Sequence, residues 1–417
     1  MATIKAFKAI RPVTDKVHLI ASRSVDTYSR QELNAELTYN PFSFLHVIKP
    51  EFNENIKSKP NSKPLLQKIK ITYNKYIHEK LLINDDQPSI YVYQQISDKG
   101  TFTGFIACVS ADDYTSGKIK IHEQTLSEKE EKLKQYLEIC DFNAEPVCFG
   151  HDNEPEIESI LIHTTQTVQP CYDFTTNDKL RHRIWPISDE AQIAKIVTGI
   201  HHLGKVYIAD GHHRSASSTR LADWKRKQLK SFTGEENFNY FMGIFFSEKQ
   251  LKIVEFNRMV KDLNGLSSEE FLSALRKTFN VKKIHVDECK PKQVHQLTLY
   301  INRCWYALEP LANSFDENDA VGCLDAQILS DLVLSPILKI HDLRTDNRVH
   351  FVPGVKPIYE LEMQVDSGKF AAAFLLFPVT MQQLKNVADS GKIMPPKSTG
   401  VEPKLRSGLI IYDFEKS

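Results

Sequence analysis

KVYIADGHHRSASSTRLADWKRKQLK, Lys205–Lys230, is the stretch whose reading decides the fold. Lys205–Ala209 is short and rich in strand formers, and reads as a buried strand. Asp210-Gly211 breaks it, since glycine lets the backbone turn where other residues strain. From His213 on, the stretch is rich in helix formers, and its basic residues gather in the last turns, where they meet the negative end of the helix dipole. Just upstream, Ser188-Asp189-Glu190 opens a helix whose Ile193, Ile196, Val197 and Ile200 recur at i, i+3, i+4 and i+7, and Gly204 closes it. Helix, strand, tight turn, helix: this order predicts an α/β protein with mixed sheets.

The turn also carries chemistry. A glycine after a buried strand brings the backbone close to a ligand, and the helix behind it offers unpaired N–H groups to an anion. Asp210 can act as a base or hold a cation, His212 and His213 can donate or transfer protons, and Arg214 can clamp a phosphate with two parallel hydrogen bonds. The plainer alternative is that Asp210 caps the helix and the histidines decorate a turn, which leaves the histidine pair and the arginine without a task. A metal site is the other alternative. Adjacent histidines on a starting helix point about 100° apart, unlike the i, i+4 pair of a zinc helix, so no residue is assigned to a metal.

Working outward, Phe44–Ile48, Ile90–Gln94 and Gly104–Val109 read as strands, residues 53–64 as an exposed loop, and Leu65–Glu79 as a helix. Ile119 and Ile121 alternate with lysines as a strand would, and Ser127–Glu130 has the form of a capping box, so HEQT at His122–Thr125 falls on a strand-to-helix junction. Phe241–Phe246 and Leu251–Phe256 flank a turn and suggest a hairpin. Helices are expected at Ser267–Phe279, Leu324–Leu334 and Met381–Ser390, and a strand at Leu409–Tyr412. Boundaries near 117 and 265 divide the chain into an N-terminal α/β region (1–117), a core carrying DGHHR (118–265) and a C-terminal α/β region (266–417).

Composition narrows the function classes. Lysine plus arginine and aspartate plus glutamate both total 53, so no global field draws the chain to nucleic acid or anionic lipid. The 7 cysteines are scattered and never reach a CxxC spacing, which fits reduced thiols in a cytoplasm. The opening MATIKAFKAIRPVTDK lacks the apolar run of a secretory signal, and no segment is long and apolar enough to predict a membrane span. The expected localisation is cytoplasmic.

GHHR, Gly211–Arg214, is similar to the G-x-x-R phosphate signature of the ParB/sulfiredoxin-like nucleotide-binding group, and ADGHHR resembles its free-serine kinase branch. Nearly the whole chain resembles a bacterial family of unknown function within that group. The resemblance runs through AFKAIRP, Asn40-Pro41, HEQT, IWPI at 184–187, Asn239-Tyr240, LDAQIL at 324–329 and MPPKSTGVEPKLRSGL at 394–409. It implies a ParB/sulfiredoxin-like core with additions at both ends, in which Gly211 and the helix N-terminus hold phosphate oxygens and Arg214 supplies charge. In the serine-kinase branch the aspartate and histidines of the motif serve substrate binding and phosphoryl transfer and an earlier glutamate is the base, a part for which Glu123 is the candidate. Lys397, Ser398 and Thr399 form a second candidate patch for polyphosphate, with Lys404 and Arg406 adding cations. The chain departs from the family pattern at Ala21–Tyr28, which has no proline pair, and at Gly400, where an aromatic is usual.

The expectation is therefore a small-molecule kinase. It would move a phosphoryl group from ADP or ATP, with Mg²⁺, to a small hydroxyl acceptor such as free serine. The alternatives are a nucleotide-binding regulatory protein that hydrolyses slowly or not at all, and a metal-dependent phosphoesterase built on Asp210, His212 and His213. A small-molecule substrate and a nucleotide are the expected partners, and neither a membrane nor nucleic acid is.

Overall fold

The computed structural model describes residues 2–415 and forms two compact units. The first is built from the chain up to Lys120, from Thr125–Leu251 and from the chain after Pro403; the second from Ile121–Gln124 and Lys252–Glu402.

A nine-stranded mixed sheet organises the first unit. In chain order its strands are β1 (Ile4–Lys5), β2 (Ile90–Ser97), β3 (Gly100–Ser110), β4 (Ile119–Lys120), β5 (Val147–His151), β6 (Tyr172–Thr175), β7 (Arg181–Ile187), β8 (Val206–Asp210) and β9 (Tyr240–Ser247). They lie in the order β6-β7-β2-β3-β9-β5-β8-β4, with β1 beside β3. The β9–β5 and β8–β4 pairs are parallel and the others antiparallel, so the sheet mixes both ladders. Every residue of β5, and of β9 up to Phe246, is buried, as expected of central strands covered on both faces. Phe245 stacks between Phe105 and Phe149, its ring centre 5.0 Å from each and its plane nearly parallel to both.

The sheet is packed tightly enough to demand a glycine. A Cβ on Gly104 would press on the Phe245 carbonyl oxygen and stand 2.6 Å from the Phe246 ring. Gly104→Ala is expected to destabilise the first unit by about 2 kcal/mol through overpacking, measured as a shift in urea midpoint at unchanged slope.

The helices of this unit are α1 (Lys63–His78), α2 (Ser127–Cys140), α3 (Pro155–Thr167), α4 (Glu190–Leu203) and α5 (His212–Gln228). Asp189 caps α4 by accepting from the Gln192 N–H, and Gly204, at φ 76°, ends it. α2 departs from expectation: Ser127 is its first helical residue rather than its cap, and Glu130 instead binds the Thr125 hydroxyl and Arg220. Phe44–Ile48 is not a strand either. Leu45–Ile48 is one helical turn, closed by local bonds such as His46 N–H to Ser43 O at 3.0 Å.

The second unit has a six-stranded antiparallel sheet in which Ala372–Leu375, the apolar run of the C-terminal region, is interior and fully buried. Beside it pack Ser268–Leu275, Asp325–Leu329, which passes into a π turn at Ser330–Leu334, and Ile358–Asp366. The expected hairpin between Phe241–Phe246 and Leu251–Phe256 is not formed. β9 pairs with β3 and β5, whereas Lys252–Val254 pairs with Gly400–Glu402, because the chain changes units between the two runs. Among the described residues no helix is long and apolar enough to cross a membrane.

Candidate functional site

β8 delivers Asp210 through an irregularity. Its register against β5 slips between Ile208 and Asp210, so that Asp210 stands level with Cys148. Gly211 follows at φ 104°, a left-handed conformation that glycine adopts without strain, and α5 begins at His212. The buried side of α5 is rich in small polar residues. Ser215, Ser217, Ser218 and Thr219 are all buried, and the Ser217 and Thr219 hydroxyls donate to carbonyls one turn back, at 2.6 and 3.1 Å. Among the described residues Ser215 Oγ, which is buried, has no hydrogen-bond partner.

Arg214 folds back over Gly211. Three atoms of its guanidinium group lie 3.1 Å from where a glycine Cβ would be. Nη1 donates to the Pro146 carbonyl at 2.5 Å, while the carboxylates of Glu145 and Asp210 stand off at 3.8 Å. Nε and Nη2 therefore have no hydrogen-bond partner among the described residues, on a side chain that is 28% exposed. Lys404, on the returning C-terminal segment, reaches Asp210 at 3.3 Å. Burial pushes the Asp210 carboxyl up, but Lys404 and Arg214 outweigh it and hold it below the usual carboxylate range. The site thus offers two cations, one half-exposed carboxylate and the positive end of a helix dipole.

The two histidines diverge as adjacent helical residues must. His212 is buried and acts electrostatically on Asp210, whereas His213 acts on Glu130. Among the described residues no three His, Cys, Asp or Glu side chains converge as a metal ion would require.

The remaining predicted site residues belong to the second unit. Glu123 lies on Ile121–Gln124, where the His122 carbonyl accepts from the Met394 N–H at 2.9 Å and the His122 ring is 3.4 Å from Thr399 Oγ1. HEQT and MPPKST, far apart in sequence, are neighbours there. Ser398 is buried and donates to the Pro395 carbonyl at 2.7 Å, and the Lys397 ammonium lies 5.5 Å from the centre of the Phe256 ring.

Lys404 and Arg406, read from sequence as cations of the Lys397 patch, both have other partners, Lys404 facing Asp210. Arg406 is not a polyphosphate cation: it is buried, with Nη2 2.6 Å from both oxygens of Asp178 and 2.9 Å from Thr176 Oγ1. Its Nε donates to His182 Nε2 at 3.2 Å, so Nδ1 carries the proton and donates to Tyr93 Oη, which in turn donates to Gln95. This network anchors the segment that presents Lys404. Burial, reinforced by Arg406, pushes the His182 pKa down to about 3. The unfolded chain, with histidine near 6.5, then binds the extra proton between those values, so stability is complete above pH 6.5 and falls as the pH drops toward 3. Lowering the pH from 6.5 to 5 is expected to cost about 2 kcal/mol, and His182→Gln to flatten that slope, read by urea unfolding at a series of pH values.

The model of a family described as a protein of unknown function (DUF1015) matches residues 4–327. No curated protein matches the chain. Among solved structures, a free serine kinase mutant in complex with AMP aligns at TM-score 0.37 and 10% identity over 74% of this chain and 92% of that one. A conserved hypothetical protein from Pyrococcus furiosus aligns at 0.35 and 11% over 74% and 96%. SbnI with a C-terminal truncation, from Staphylococcus aureus, aligns at 0.37 and 13% over 73% and 85%.

Proposed function

We propose that this chain, which belongs to the DUF1015 family, is a nucleotide-dependent phosphotransferase that grips a phosphate of ADP or ATP at the start of α5. The observation that carries this reading is Arg214: a guanidinium at a helix N-terminus with two uncommitted donor atoms, beside a glycine and a second cation. The residues fit the group. Phosphate oxygens would accept from Arg214 Nε and Nη2 at the positive end of the α5 dipole, and Lys404 would neutralise added charge. Asp210, released from Lys404, is the residue here suited to a nucleotide-bound Mg²⁺.

In the reaction, the acceptor hydroxyl oxygen forms a bond to the terminal phosphorus as the phosphorus–oxygen bond to the nucleotide breaks. The hydroxyl proton passes to a carboxylate, and AMP or ADP leaves. Asp210 is a weak base because its cations hold it ionised at low pH. The proposed acceptor is a small alcohol such as serine. His212 and His213 are assigned to placing the acceptor.

The weak basicity of Asp210 also favours a second reading, a nucleotide-binding regulator that leaves its ligand intact. One experiment separates them. The protein is incubated with ADP or ATP, Mg²⁺ and a panel of hydroxyl-bearing amino acids, and nucleotide and phosphorylated product are followed by chromatography. Stoichiometric product supports the kinase, and stabilising but unconsumed nucleotide supports the regulator. Neither binding nor turnover of any nucleotide removes both.

A further inference from the structure

Phosphoryl transfer to a hydroxyl needs a group that takes the hydroxyl's proton, and a carboxylate other than Asp210 stands at Arg214. Glu145 lies two residues before β5. The backbone is pinned on either side of it: the Ala144 carbonyl accepts from the Gly408 N–H at 3.1 Å, and the Pro146 carbonyl accepts from Arg214 Nη1 at 2.5 Å. The side chain is 31% exposed, with Oε2 3.8 Å from Arg214 Nη1. Glu145 and Asp210 therefore flank one guanidinium at the same distance, but they differ in what else they meet. Asp210 also faces Lys404, whereas Glu145 is held by hydroxyls: Ser407 donates to Oε1, and Ser24 donates to Oε2 at 3.4 Å. Two hydroxyl donors fix a carboxylate in place and occupy only part of its lone-pair sites.

A second observation comes from the strand pair that carries these hydroxyls. Ser22–Arg23 pairs antiparallel with Arg406–Ser407, and Ser22 is opposite Ser407. Opposed residues of an antiparallel pair put their side chains on one face, so Ser22 shares the face on which the Ser407 hydroxyl meets Glu145. Ser22 is 3% exposed, and among the described residues its Oγ has no hydrogen-bond partner. An idle buried hydroxyl costs stability and calls for an explanation. Protonation of Glu145 supplies one. An ionised carboxylate only accepts, but its protonated form also donates, and Ser22 Oγ offers a lone pair to receive that donation.

We propose that Glu145 is the base of the transfer, an assignment that rests on the phosphotransferase reading above. A Glu145 oxygen takes the proton of the acceptor hydroxyl as the hydroxyl oxygen bonds to the terminal phosphorus of the ADP or ATP gripped by Arg214. The phosphorus–oxygen bond to the nucleotide breaks, and AMP or ADP leaves with that electron pair. Ser22 is a positioning residue that accepts from the protonated carboxyl.

The test uses the full chain with ADP or ATP, Mg²⁺ and hydroxyl-bearing amino acids, taking kcat and acceptor KM from phosphorylated product and nucleotide Kd from calorimetry. Glu145→Gln keeps an oxygen for the two serine hydroxyls, so it should fold. Its kcat should fall about 10²- to 10⁴-fold while nucleotide Kd stays within about threefold of wild type. Glu145→Asp should recover part of that rate, which a merely structural acceptor would not require. Ser22→Ala leaves no partner unsatisfied, so its urea midpoint should match or exceed wild type, yet its kcat should fall several-fold at unchanged KM. Wild-type kcat in Glu145→Gln overturns the proposal and leaves the kinase reading standing, and wild-type kcat in Ser22→Ala removes the part given to Ser22. Absence of product from the wild-type chain overturns the phosphotransferase reading itself, and this base with it.

Discussion

Replacing Arg214 by alanine is expected to weaken ADP and ATP binding about 30- to 100-fold, or roughly 2 to 3 kcal/mol, the worth of two hydrogen bonds to a charged oxygen lost together. The loss should fall on affinity rather than on folding. In the free protein Arg214 holds one backbone carbonyl at 2.5 Å and two carboxylates at 3.8 Å, ties whose removal costs little at a part-exposed position. Lysine should restore only a minor part, because an ammonium cannot reproduce the planar fork. Calorimetric titration of ADP into both variants measures this. Unchanged affinity in Arg214→Ala would move the phosphate away from α5.

The largest effect on stability is expected at Arg406. Its guanidinium is buried against Asp178, Thr176 and His182, and alanine would leave a carboxylate and an imidazole facing an empty space. Deleting one member of such a group destabilises by about 3 kcal/mol, toward the lower end of what buried pairs cost because Asp178 is a third exposed and can be hydrated. Burial pushes the Asp178 carboxyl up, but the Thr176 hydroxyl and Arg406 outweigh it, so the pair's contribution is present above the unfolded carboxylate range and lost below it. Urea unfolding of Arg406→Ala at neutral pH measures the loss. The same variant should also weaken nucleotide binding, since Lys404 rides on the segment that Arg406 anchors. An unfolding midpoint equal to wild type would show that the network is dispensable.

The contrast between these two arginines marks what the sequence reveals. Arg214 was legible because strand, glycine, helix start and guanidinium are consecutive, so local rules fix their geometry. Arg406 sits among cations in a proline-bounded loop, and nothing local says that it turns inward; its partner Asp178 is 228 residues away. Lys404 reaches Asp210 across 194 residues, a pairing that spacing cannot show. Phe44–Ile48 misled because its apolar residues suit a strand as well as a helical turn, and hydrogen bonds around Ser43 decide between them. The hairpin reading of Phe241–Phe256 failed for a larger reason: a polar turn between two apolar runs looks alike whether the chain doubles back or departs for another sheet.

The first unit resumes at Pro403 only after Lys252–Glu402 has been made. At about 5–20 residues per second the ribosome spends on the order of ten seconds on that intervening stretch. Throughout that interval the nascent first unit has its sheet strands and α5 but neither Lys404 to face Asp210 nor Arg406 to face Asp178. The pairing of Asp210 with Lys404 forms last, and a chain stalled in the second unit would display the DGHHR turn without that cation.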